Sequence, residues 1–152
     1  MASFEMSRSA TVSAPPETIH GLLDDFHAWQ EWSPWEKVDP DLQRTFTGPD
    51  RGVGSHYAWS GNSKAGQGTM VIIESTPSSV VVDLRFFKPF KATNVTRFDL
   101  TPAGGGTTVV WTMTGERGAV MGLMGKLYFD QAVGKDFDRG LAQLKSAAEA
   151  RA

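Results

Sequence analysis

The sequence predicts an α+β domain in which an antiparallel sheet is closed by one long C-terminal helix. Three observations carry this. Six short β-rich runs follow one another between Leu42 and Thr114, separated by turns of hairpin length. An alternating segment opens the chain, and after Gly118 the apolar spacing switches to a helical period that runs almost to the end. At 152 residues the chain suits one domain, residues 1–152, with one core.

Residues 4 to 12 place Phe4, Met6, Arg8, Ala10 and Val12 on one face and Glu5, Ser7, Ser9 and Thr11 on the other, the period of a half-buried strand. Ser13-Ala14-Pro15-Pro16-Glu17 then supplies a cap residue, prolines suited to a first turn and an acid near a helix start. Ile19, Leu22, Leu23 and Phe26 follow at i, i+3, i+4 and i+7, so a short helix has one apolar face. Trp29, Trp32 and Trp35 come at steps of three, and Pro34 breaks any regular helix there. Strands are expected at 42–47, 55–60, 69–76, 79–87, 93–101 and 107–114, joined by turn strings such as Gly48-Pro49-Asp50-Arg51-Gly52 and Pro102-Ala103-Gly104-Gly105-Gly106. Val120, Met124, Leu127, Phe137, Leu141, Leu144 and Ala148 mark the final helix, and Gly134 is read as a close approach against the sheet.

Composition excludes several function classes. Fifteen Lys and Arg against seventeen Asp and Glu leave a net charge of −2, with no basic excess to grip nucleic acid. Without cysteine there is no thiol nucleophile, disulfide framework or thiolate metal site. No apolar run approaches the roughly 18 residues of a membrane span, and the N-terminus has no leader pattern, so the expectation is a cytoplasmic protein without membrane insertion. Gly66-Gln67-Gly68 precedes a strand instead of opening a helix, and no Walker or nucleophile-elbow string occurs. His20, Asp24 and His27 share a helix face but lack a fourth ligand. They read as a solvated polar face, with no metal and no cofactor expected. His56 is expected on the exposed side of its strand, opposite Tyr57 and Trp59.

Charged residues show which strand faces are wet. Asp83, Arg85, Arg97 and Asp99 leave Val80, Val82, Leu84, Phe86, Thr96, Phe98 and Leu100 facing the core. Alternation likewise groups Tyr57 with Trp59, Met70 with Ile72 and Glu74, and Trp111 with Met113. On the last helix, Leu123, Phe137 and Leu141 fall within about 20° of Asp130, and Lys126 and Leu144 within about 40°. A carboxylate in mid-stripe either pairs with Lys126 or faces something wetter than a packed core. The candidate binding surface is therefore Trp35, Tyr57, Trp59, Met70, Ile72, Phe86, Phe98, Trp111, Met113, Met124, Leu127, Asp130 and Phe137. The weak catalytic candidates are Tyr57, Glu74, Lys126 and Asp130.

Several strings, in this order, resemble one superfamily. They are Ser13-Ala14-Pro15-Pro16-Glu17 with Asp25-Phe26, Trp29-Gln30-Glu31-Trp32-Ser33-Pro34-Trp35, Gly66-Gln67-Gly68-Thr69-Met70, Phe86-Phe87-Lys88-Pro89-Phe90, and Gly105-Gly106-Thr107 before Trp111-Thr112-Met113. Gly134-Lys135-Asp136-Phe137 before Gly140-Leu141 completes the set. The chain resembles the SRPBCC superfamily of START and birch-pollen-allergen type helix-grip domains, and within it the bacterial polyketide cyclase/dehydrase-like branch. The resemblance implies a curved seven-stranded antiparallel sheet gripping the C-terminal helix, two short helices after the first strand, and a hydrophobic cavity. It implies binding or transport of a small hydrophobic molecule such as a lipid, acyl or polyketide-like compound, in a monomer or homodimer. Two other roles follow from the same resemblance: a cyclase or dehydratase using cavity acid/base groups, and a co-chaperone-like protein interaction module. Fold likeness alone does not choose among them.

Overall fold

A computed structural model describes residues 2–34, 36, 39–62, 66–88, 92–117 and 123–151, with side chains for 5–34, 36, 39–62, 66–88, 93–115 and 134–151. The elements are β1 (Ala2–Val12), α1 (Pro16–Leu23), a 3-10 turn (Ala28–Glu31), β2 (Gln43–Thr47), β3 (His56–Ser60), β4 (Gln67–Thr76), β5 (Ser79–Lys88), β6 (Ala92–Ala103), β7 (Gly106–Arg117) and α2 (Leu123–Arg151). This is the expected order. One antiparallel sheet of seven strands runs β1-β7-β6-β5-β4-β3-β2. Successive hairpins build β2 to β7. α1 and the 3-10 turn carry the chain from β1 at one edge to β2 at the other.

Pro16 sits at the first position of α1, where its missing N–H costs nothing. The cap expected from Ser13 is absent: Pro15 occupies the N-cap position without a side-chain bond, and the Ser13 N–H instead donates to Glu149 of α2 at 2.8 Å. Ile19, Leu22 and Leu23 are fully buried. The far end of α1 is closed by two indoles. Trp29 Nε1 donates to the Leu23 carbonyl and Trp32 Nε1 to the Leu22 carbonyl, both at 2.8 Å, satisfying acceptors that a helix end leaves orphaned. The tryptophan spacing thus reflects capping and core packing at once.

Under the second half of α2 the sheet is filled by interlocked rings. Trp111 stacks on Phe137 at 4.0 Å and 5° and on Phe98 at 5.0 Å, while Trp32 meets both Phe98 and Trp111 edge-on. Trp29 packs on Trp32 at 4.7 Å. Each such pair adds about 0.5–1.5 kcal/mol beyond the area it buries. Trp111 Nε1 finds Thr96 Oγ1 at 2.6 Å, so the buried indole is not left wanting a partner.

The outer face follows the charge pattern, with Arg85 paired to Asp83 and Arg97 to Asp99. One strand departs from simple alternation. A register shift between Ile72 and Glu74 leaves Ile73 exposed and sets Glu74 opposite Val81. Glu74 therefore faces outward, within hydrogen-bond reach of Ser79 and near enough to help hold the Arg97 guanidinium charged. Its expected place beside Met70 and Ile72 is corrected: the bulge transfers the inward position to Ser75.

Candidate functional site

Strand register places the inner-face side chains in rows across the sheet. One row reads Gly115, Asn94, Leu84, Met70, Tyr57 and Phe46, and the next reads Phe86, Gly68, Trp59 and Arg44. Tyr57, Met70 and Leu84 are buried, whereas Trp59 and Phe86 are half-buried and meet edge to face at 5.6 Å. Gly68 explains how the Trp59 ring lies against the sheet. A Cβ there would stand 2.5 Å from the Trp59 ring and 2.3 Å from the Arg85 carbonyl, so only glycine leaves room for the indole.

At the β2 end of these rows lies a buried charge network that the sequence did not disclose. Glu36 is 6% exposed and accepts from Tyr57 Oη at 3.0 and 3.2 Å and from Arg44 Nε at 2.9 Å, while Arg44 Nη2 donates to the Glu36 carbonyl at 2.9 Å. Burial, then the neighbouring Glu36 charge, pushes the Tyr57 phenol well above the ordinary phenol range. Burial works against the Arg44 charge, but the Glu36 hydrogen bond and charge outweigh it and raise the guanidinium pKa. Tyr57 is thus held as a neutral phenol whose proton is already committed to Glu36.

A second polar cluster corrects the reading of the α1 surface. Asp24 is buried, not solvated: Arg51 of the glycine-bearing 48–54 loop donates to its carboxylate at 3.0 Å, and His20 lies 3.6 Å away. His20 Nε2 and Ser75 Oγ are 3.0 Å apart. The cluster ties α1, the loop and β4 together. His27 turns aside to Asp25 and stacks on Phe46, and no metal-holding group of three such residues occurs among the described residues. His56 is half-buried instead of exposed, with Nδ1 buried and lacking a hydrogen bond.

Of the binding candidates, Phe98, Trp111 and Phe137 come together as the ring stack and, like Ile72 and Met113, are almost wholly buried. Tyr57, Trp59, Met70 and Phe86 come together on the adjoining rows. Trp35 lies outside the described residues, as do the side chains of Met124, Lys126, Leu127 and Asp130. Sequence reasoning missed Glu36 and Arg44. No helix among the described residues is long and apolar enough to cross a membrane.

Residues 1–149 match the family model described as polyketide cyclase / dehydrase and lipid transport. The chain belongs to this family. At family level that supports hydrophobic ligand binding or polyketide cyclisation. Solved structures share the fold across nearly the whole chain. Ara h 8.0201 superposes with a TM-score of 0.70 at 13% identity, covering 98% of this chain and 99% of its own. Protein MLL2253 from Mesorhizobium loti gives 0.71 at 17% identity, with 96% and 97% covered. The di-domain ARO/CYC StfQ from the steffimycin biosynthetic pathway gives 0.75 at 12% identity, matching 98% of this chain but 51% of StfQ. No curated protein matches the chain in sequence. At these identities the family's Bet v 1-like helix-grip architecture is what is shared, and the sheet order and long C-terminal helix agree with it.

Proposed function

We propose that the chain binds a small, largely apolar molecule in a cavity between the inner face of β3–β6 and the first half of α2. The observation that carries this is the contrast between two parts of one sheet face. Rings interlock completely under the second half of α2, whereas Trp59 and Phe86 on the neighbouring rows stay half-buried beside buried Tyr57 and Met70. Aromatic surface left half-covered on an inner face suits a ligand that completes its burial. Tyr57, Trp59, Met70 and Phe86 are the sheet-side contacts of this reading. Met124, Leu127 and Asp130 remain its helix-side candidates from the sequence. A ligand losing about 300 Å2 of apolar surface at about 25 cal/mol per Å2 gains roughly 7 kcal/mol before association costs.

Binding is preferred over turnover because the described acid/base groups at this surface, Tyr57 and Glu36, are locked to each other and to Arg44, with the Tyr57 phenol pKa raised. A general acid or base works best near the operating pH. The test is native mass spectrometry of gently purified protein, followed by titration of the retained compound against wild type and Trp59→Ala. A retained apolar adduct, bound at least about tenfold more weakly by the variant, is expected. Equal affinity in a folded Trp59→Ala protein refutes the assignment.

A further inference from the structure

We infer that Ser75, His20 and Asp24 form a second site, a serine nucleophile with its base and the carboxylate that orients it, suited to cleaving small activated esters. The binding surface proposed above plays no part in it, since Ser75 lies roughly 20 Å along β4 from Gly68 of the Trp59 row. His20 Nε2 stands 3.0 Å from Ser75 Oγ, and His20 Nδ1 stands 3.6 Å from Asp24 Oδ2. A carboxylate on the Nδ1 side favours the tautomer that carries its proton there, which leaves Nε2 as the acceptor for the Ser75 hydroxyl. This order of contacts is the one by which an imidazole turns a serine hydroxyl into a nucleophile, and it is recognised by geometry whatever the fold.

Each member is placed by a local feature. His20 and Asp24 are one helical turn apart and so share a face of α1. The register shift between Ile72 and Glu74 turns Ser75 toward that face, and bulges recur beside active sites because they re-aim a side chain in this way. Asp24 closes the C-terminal end of α1, where a carboxylate opposes the helix dipole, so helix stability does not account for it. The 48–54 loop fixes it instead: Arg51 Nη2 donates to Oδ1 at 3.0 Å and the Gly52 N–H donates to the Asp24 backbone carbonyl at 2.9 Å, which leaves Oδ2 to face His20. Ser75 is half-buried and the His20 side chain 20% exposed, so a small ester can reach them, while the buried carboxylate is shielded from water. Ser75 Oγ attacks the ester carbonyl carbon as its proton passes to His20 Nε2. The bond to the leaving oxygen then breaks, and that oxygen takes the proton from His20 and departs as the alcohol, leaving acyl-Ser75. Water attacks the acyl carbon with His20 as base, releasing the carboxylic acid and restoring Ser75.

The test uses the full chain and an alkyl fluorophosphonate, which reacts with an activated serine by forming an O–P bond as fluoride leaves and the hydroxyl proton passes to the base. Intact mass and peptide mapping are expected to show one phosphonyl group on Ser75 in wild type and none in His20→Gln, whose amide keeps a hydrogen-bond partner for Ser75 but is no base. Asp24 is a positioning residue, and Asp24→Asn is expected to label Ser75 at least about tenfold more slowly in protein that still melts cooperatively. Hydrolysis of 4-nitrophenyl acetate is expected to fall at least about 100-fold in Ser75→Ala. Absence of label on Ser75 in wild type, or equal labelling in His20→Gln, overturns the assignment, and the wild-type result decides it even where a variant fails to fold. Ester hydrolysis that survives in Ser75→Ala and vanishes in His20→Gln also overturns it, because the imidazole alone then carries the activity. Equal labelling in Asp24→Asn overturns the part given to Asp24.

Discussion

Glu36 and Arg44 form the charged pair nearest the proposed ligand surface, and a double-mutant cycle tests whether they act as one unit. The carboxylate is almost wholly buried and the Arg44 side chain is 25% exposed, so the two partners differ in how well water can replace what is lost. In Glu36→Gln the amide still accepts from Tyr57, and Arg44 keeps its bond to the backbone carbonyl of residue 36, but its charge loses the carboxylate. Breaking a buried pair costs about 3–5 kcal/mol; the partial exposure of Arg44 brings this down to about 2 kcal/mol. Arg44→Met strands the more buried charge and should cost about 3 kcal/mol. The double variant removes both charges and should cost about 2–3 kcal/mol, well short of the sum. For a chain of this length 2 kcal/mol is a fall in Tm of about 4–8 °C. Urea unfolding followed by tryptophan fluorescence measures all three. Costs that add within about 0.5 kcal/mol would show that the pair is not coupled and refute the reasoning.

Two glycines of α2 should respond in opposite ways to alanine. A Cβ at Gly140 would stand 2.9 Å from both Pro34 and the Trp111 ring, neither of which can yield, so Gly140→Ala should destabilise by about 1–3 kcal/mol despite its better helix propensity. At Gly134 the obstacle is the end of the flexible Arg8 side chain, 2.6 Å away. Gly134→Ala should therefore be neutral or stabilising by up to about 1 kcal/mol, and equal thermal shifts for the two would contradict this. The raised phenol pKa of Tyr57 predicts an alkaline effect. Its contribution to stability is complete below the ordinary phenol value of 10.0 and declines as pH rises from there toward the folded value. Tyr57→Phe should flatten that decline while lowering stability by about 1–2 kcal/mol at pH 7; an unchanged alkaline slope would count against the buried hydrogen bond.

The element order, the antiparallel hairpins and the wet sheet face were legible because each rests on a local period. Arg85, Asp83, Arg97 and Asp99 mark the outer side without ambiguity. Glu74 was misplaced because Val71, Ile72 and Ile73 form an unbroken apolar run. Alternation has no mark there to show where an extra residue enters the strand. Asp24 did point away from the apolar stripe of α1, but the 48–54 loop folds over that side, so away from the core was not toward water. Glu36 and Arg44 belong to different local segments, and no periodicity joins an irregular connection to a strand eight residues on. Gly134 was read as an approach to the sheet. The approach exists, but to the Arg8 side chain of β1, and the tight contact belongs to Gly140 one and a half turns later.

The side chains described on α2, residues 134–151, tie that stretch to the rest of the domain. Arg8 crosses Gly134 and reaches Asp138, Phe137 stacks on Trp111, Pro34 packs on Gly140 and accepts from Arg139, and Glu149 receives the Ser13 N–H. Phe137, Leu141, Leu144 and Ala148 recur at helical spacing along that stretch and are buried. A ligand seated over Leu84, Met70 and Tyr57 need break none of these contacts to enter or leave. Substitutions in the ring stack should act on folding, and those at half-buried Trp59 and Phe86 on binding.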